Sequence, residues 1–130
     1  MVLDGSRTFT LLNPEWDEPH HVIYLNQKMG ALQIPVGTYH RSVSGSKGSI
    51  VLNQAVRDES FDITKEFVPV SLRERPDLVA AKAVDPVYWI LEGDQLKRTN
   101  LNSLLATTQQ MKALLQLREL CQKIAIKLPK

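Results

Sequence analysis

The stretch Gly30–Ser44, which reads Gly-Ala-Leu-Gln-Ile-Pro-Val-Gly-Thr-Tyr-His-Arg-Ser-Val-Ser, constrains the chain more than any other. Pro35 fixes φ and removes a backbone donor, and Gly37 supplies a conformation that a Cβ resists, so the chain must reverse at Val36–Thr38. Before this turn, Ala31–Ile34 alternates weakly and predicts a strand. After it, Tyr39–Val43 follows a period of two, placing His40 and Ser42 on one face and Tyr39, Arg41 and Val43 on the other. His40 points into a cavity or out to water, as a ligand contact or as a packed or solvated residue.

The same short-run grammar holds up to residue 100. Arg7–Leu12 alternates, with Phe9 and Leu11 on its inward side, and Asp4-Gly5 before it is a turn signal. Asn13–Pro19 is polar, holds two prolines and reads as a loop. His21–Leu25 is β-rich, and Asn26–Met29 is the next turn. Gly45-Ser46-Lys47-Gly48 separates the His40 strand from Ser49–Ala55, and the two are expected to pair as a hairpin. Phe67–Val70 is another short β segment, Asp77–Ala83 suits a brief helical turn, and Val87–Leu91 with Gln95–Arg98 suits a second hairpin.

From Asn102 the pattern changes. Ser103–Leu128 contains no Gly or Pro and spaces Leu114, Leu117, Cys121, Ile124 and Leu128 by three and four, which predicts one amphipathic helix. Asn102 or Ser103 is its candidate cap and Pro129 its stop. Lys112, Lys123 and Lys127 lie on its polar face. The helix reads as a packing face, a contact across a dimer, or a basic surface for a membrane or an acidic partner. The expected organisation is a β domain over 1–100 and a helix over 101–130.

Composition narrows the classes. The 130 residues are 43% apolar, enough for one globular domain and too few for two. A net charge of +2 gives no basic stripe for nucleic acid, since the cations of Arg57–Arg75 are interleaved with acids. The single cysteine, Cys121, excludes an internal disulfide and sits on the apolar stripe as an inert thiol. No apolar run is long enough for a membrane span, and Met-Val-Leu-Asp-Gly lacks the features of a signal peptide, so a cytoplasmic location is expected.

Three segments together carry a family resemblance: Val2-Leu3-Asp4-Gly5-Ser6 leading into Thr8-Phe9-Thr10-Leu11, then Ile34-Pro35-Val36-Gly37-Thr38-Tyr39-His40, then Ile50-Val51-Leu52-Asn53. From Leu3 to about Arg98 the chain resembles the C-terminal two thirds of a cupin, close to dTDP-sugar 3,4-ketoisomerases and their relatives. The resemblance implies a jelly-roll β-barrel that is N-terminally incomplete, because the family's His-x-His and carboxylate strands would precede Met1. Ser44 stands where many cupins have asparagine. His20 and His21 are adjacent, so on a strand they face opposite ways and do not replace a pair spaced by two. No metal and no cofactor is expected.

Moving a carbonyl along a sugar ring needs a base for the α-proton, an acid for the enediolate and a donor for the oxyanion. His40 is the candidate base and Tyr39 or Tyr24 the candidate acid, while Arg41 or Arg57 is the candidate pyrophosphate ligand. Trp16 is the candidate cover or stacking partner for a ring. The competing roles are strand packing for Tyr24 and Tyr39 and solvation for Arg41 and Arg57. Glu15, Asp17 and Glu18 read as a solvated charge run, His20 and His21 as exposed, and Trp89 as core. Three functions compete: a nucleotide-sugar isomerase or epimerase, a non-catalytic binder of a saccharide or nucleotide sugar, and an oligomerisation or interaction module built on the terminal helix. About seven short strands are too few to close two sheets, so the helix or a second subunit in a homodimer is expected to cover open edges.

Overall fold

Alternation along Arg7–Leu12 and the β-rich run His21–Leu25 give two strands joined by the Asn13–Pro19 turn. In the computed structural model, which describes residues 1–27, 29–65, 68–92 and 94–106, these runs become β1 (Val2–Leu12) and β2 (His20–Asn26). Three further strands follow: β3 (Tyr39–Val51), β4 (Val87–Glu92) and β5 (Gln95–Thr99). The order across the sheet is β3-β1-β2-β4-β5. Only β2 and β4 are parallel; the other neighbours are antiparallel. The architecture is thus mainly β, a mixed sheet left open among the described residues, and it is compatible with a jelly roll.

Register divides the side chains between two faces. Phe9 lies opposite Ile23 and Ser42, Leu11 opposite His21 and His40, and Ile23 opposite Trp89. On this first face Val2, Phe9, Leu11, Ile23 and Leu25 form the larger core cluster. Met29, Leu32 and Ile34 pack over it. The expected strand Ala31–Ile34 is therefore a correction: its apolar residues serve as a lid laid across the core, and the segment joins no ladder.

The second face is covered at one end by α1 (Pro76–Ala83). Pro76 opens the helix with its φ already set, and Leu78 and Ala81, three apart, turn inward onto Leu12, Tyr39 and Leu72. Asp85-Pro86 ends it, because a residue before proline is driven out of the helical region. One helical turn over 101–106 begins just after β5. Asn100 caps it, in place of the expected Asn102 or Ser103, by accepting the Ser103 N–H at 2.8 Å. The rest of the expected Ser103–Leu128 helix, with Cys121, lies outside the described residues. No helix among the described residues is long and apolar enough to cross a membrane.

The expected hairpin of Tyr39–Val43 with Ser49–Ala55 is a second correction. Both halves pair with the same stretch of β1: Ser44 lies opposite Arg7 and Ser49 opposite Gly5. Gly45-Ser46-Lys47-Gly48 is accordingly an insertion bulged out of one strand, and Leu52–Ala55 leaves the sheet. Strand Phe67–Val70 is also not formed over its described residues 68–70. With two runs merged and two others lost, the described residues hold five strands, fewer than the about seven expected. The β4–β5 hairpin stands as expected, with Glu92 opposite Gln95.

Two replacements test the packing. Leu25, 1% exposed on the central strand, loses its contacts on both flanks in Leu25→Ala, and stability measured by urea denaturation is expected to fall by about 2–5 kcal/mol. Gly5 and Gly37 both have positive φ, +74° and +78°, but a Cβ on Gly5 would meet the Gly48 carbonyl oxygen at 2.2 Å while one on Gly37 meets nothing within 4 Å. Gly37→Ala is therefore expected to cost about 1 kcal/mol for conformation alone, and Gly5→Ala clearly more, since β1 and β3 must separate at the bulge.

Candidate ligand-binding site

The Asn13–Pro19 segment is a tight, self-bonded turn. The Asn13 carbonyl accepts the Trp16 N–H at 3.1 Å, the Asn13 side chain accepts the Glu15 N–H at 3.1 Å, and the Asn13 N–H donates to the Pro19 carbonyl at 3.0 Å. Asn13 is buried, so these bonds pair its backbone N–H, its carbonyl and its side-chain oxygen away from water. The turn places Trp16 against His21 at the start of β2, with ring centroids 5.5 Å apart in an edge-to-face arrangement. Parallel pairing of β2 with β4 brings Trp89 to the other side: its ring stacks on His21 at 6.1 Å and 27°.

Hydrogen bonding fixes the state of His21. An indole nitrogen only donates, so the Trp89 Nε1–H gives its proton to His21 Nδ1 at 2.9 Å. The ring proton then sits on Nε2, which donates to the Glu18 carbonyl at 2.6 Å. Arg98 from β5 extends the cluster, its guanidinium 5.4 Å from the Trp89 ring centroid and paired with the Glu18 carboxylate. One face of the sheet thus carries two indoles, an imidazole, a guanidinium and a carboxylate at one end, with both tryptophans half-buried. Such a surface offers flat apolar area beside fixed donors and acceptors.

His20 is the mirror case. It faces the opposite side, is 9% exposed, and donates from Nδ1 to the Val84 carbonyl at 3.0 Å, tying β2 to the end of α1. The expectation that both histidines are exposed is corrected here: the strand begins at His20, which is buried, and His21 is half-buried beside the two indoles. No group of three or more His, Cys, Asp or Glu that could hold a metal ion occurs among the described residues. Beside α1 runs an open groove of about 350 Å³ lined by Pro14, Pro19, Asp77, Ala80, Ala81 and Val84. None of the residues singled out in the sequence for binding lines it.

The remaining candidates are dispersed. His40 is exposed on the face that carries His21, on the outer strand β3. Tyr39 lies on the opposite face, half-buried, where its hydroxyl accepts from Arg75 at 2.6 Å. Tyr24, 6% exposed, shares that second face, but it pairs with Thr8 while Tyr39 pairs with Leu12. Four residues along the strand and two strands across put them roughly 17 Å apart. The sheet therefore does not bring His40, Tyr39 and Tyr24 together. Arg41 is exposed on the second face, and Arg57 sits in the segment after β3 with its guanidinium 4.5 Å from the Phe61 ring centroid. Of the residues singled out for binding, only Trp16 belongs to the aromatic cluster. His21, Trp89 and Arg98 escaped sequence reasoning as site residues, since only the parallel β2–β4 pairing assembles them.

Arg75 holds Asp77 through two guanidinium hydrogen bonds, at 2.9 and 2.6 Å, which keep the Asp77 carboxyl below its ordinary value of 3.8. A lowered carboxylate stabilises the fold above its unfolded pKa, and that contribution is lost as pH falls through the folded one. The Asp77 titration followed by NMR is expected to have its midpoint below 3.8 and to move up in Arg75→Gln. A second measurement concerns the tautomers. Nitrogen-15 shifts at alkaline pH are expected to show His20 protonated on Nδ1 and His21 on Nε2, and Trp89→Phe is expected to leave the His21 proton on Nε2, because the Glu18 carbonyl can only accept from it.

No protein family matches this chain by its sequence model, and neither a curated protein nor a solved structure matches it.

Proposed function

We propose that this protein is a cupin-like binder of a saccharide or nucleotide sugar, with the ligand's ring laid on the Trp16–His21–Trp89 cluster. One observation carries the reading: two half-buried indoles converge on one imidazole whose ring nitrogens are both engaged, next to a paired guanidinium and carboxylate. A sugar presents an apolar ring face and a rim of hydroxyls. The indoles suit the first, and Arg98 with Glu18 suits the second, because one donates and the other accepts. The sequence resemblance to nucleotide-sugar cupins and the mainly β architecture support the same ligand class. Binding is favoured over proton transfer because His21 has no ring nitrogen left to act as a base, and His40 lies on the other side of the sheet from Tyr39 and Tyr24.

The two tryptophans are the chain's only ones, so intrinsic fluorescence reports on this site. Titration with dTDP-glucose and with dTDP-4-keto-6-deoxyglucose is expected to give a saturable change that Trp16→Ala weakens by about tenfold, the value of one good aromatic contact. Absence of any saturable change with either sugar overturns the reading. Product analysis on the keto sugar separates binding from isomerisation: turnover that disappears in His40→Ala would replace the binding reading with the enzymatic one.

A further inference from the structure

Two arginines of this protein meet carboxylates, and a third makes a different set of contacts. Arg75 pairs with Asp77 and Arg98 with Glu18. Arg7, half-buried on β1, instead directs its guanidinium into hydroxyls of β3: Nε donates to Ser49 Oγ at 3.0 Å, Nη1 to Ser42 Oγ at 3.1 Å and Nη2 to Ser44 Oγ at 3.2 Å. Ser44 and Ser49 bond each other at 2.8 Å across the Gly45–Gly48 bulge. No carboxylate among the described residues lies within ion-pair distance of this guanidinium.

The proton count of this cluster is unbalanced. A guanidinium has five N–H groups, and three are taken by the serines. Each of the three hydroxyls accepts from Arg7, so its own proton must go elsewhere, and one of these protons is used between Ser44 and Ser49. Two N–H and two O–H donors are left over beside a positive charge that no carboxylate among the described residues pairs. Neutral hydroxyls hold the arginine in place without cancelling its charge. The bulge supplies the geometry, since by looping out Gly45–Gly48 it brings Ser49 alongside Ser44 over a single arginine.

We propose that Arg7, Ser42, Ser44 and Ser49 form a binding site for a phosphoryl oxyanion. Two guanidinium N–H groups and two serine hydroxyls, not all confined to one guanidinium plane, match the several oxygens of a tetrahedral anion better than the two coplanar oxygens of a carboxylate. The site lies on the same face as the aromatic cluster but four residues along β1 from Leu11, the partner of His21, which is about 13 Å away. It does not rest on the saccharide reading, and different variants test the two.

The experiment is an NMR titration of the full chain in a phosphate-free buffer at fixed ionic strength, using inorganic phosphate, thymidine diphosphate and acetate in separate arms. Saturable shifts at Ser42, Ser44 and Ser49 are expected with both phosphorus anions, with a dissociation constant on the order of 1 mM for inorganic phosphate. Acetate is expected to bind at least fivefold more weakly. Arg7→Gln is expected to weaken phosphate binding tenfold or more, and the joint Ser42→Ala and Ser44→Ala change to weaken it severalfold with the charge intact. Should Arg7→Gln lose its dispersed spectrum, the serine variant decides. Linear, unsaturating shifts, equal affinity for acetate, or unchanged phosphate binding in the serine variant would each overturn the proposal.

Discussion

The position of β1 between β2 and β3 is the constraint on which the rest depends. It pairs antiparallel with both neighbours, so its alternation sets which side chains face which way over three strands at once. A slip of one residue would move Phe9 and Leu11 to the α1 side and carry Leu12 away from Leu78 and Ala81. Both core clusters would be lost together. The same register fixes Arg7 and Leu11, and hence the Arg7–serine cluster and the His21 row, on one surface.

That shared parity explains how one sheet keeps distinct chemistry on its two sides. The first face carries the larger apolar core under Met29, Leu32 and Ile34, with polar groups at its ends. The second carries Tyr39, Arg75 and the helix contact. His20 and His21, adjacent in sequence, are the clearest case: one anchors α1 through Val84, and the other organises the two indoles.

The legible part of this chain was what is local. The runs at Arg7–Leu12, His21–Leu25 and Val87–Leu91, the short helix near Asp77 and the opposed faces of Tyr39 and His40 all follow from spacing, and the structure keeps them. Ala31–Ile34 and Gly45–Gly48 misled because the same residues serve two purposes. Apolar alternation suits a lid over a core as well as a strand, and a Gly-Ser-Lys-Gly run suits a bulge as well as a hairpin turn. Only pairing partners tell them apart. The site was less legible still: Trp16 could be named from its loop, whereas Trp89 reaches His21 across 68 residues.

That separation bears on how the chain finds its fold. Pairs β1–β2 and β4–β5 join segments that are close in sequence and can form early, while the parallel seam between β2 and β4 closes a loop that holds β3 and α1. Loop closure of this length is slow and unrewarded until the seam packs. The aromatic cluster straddles that seam, so its geometry depends on a pairing between segments that are distant in sequence, and it is sensitive to whether that seam is closed.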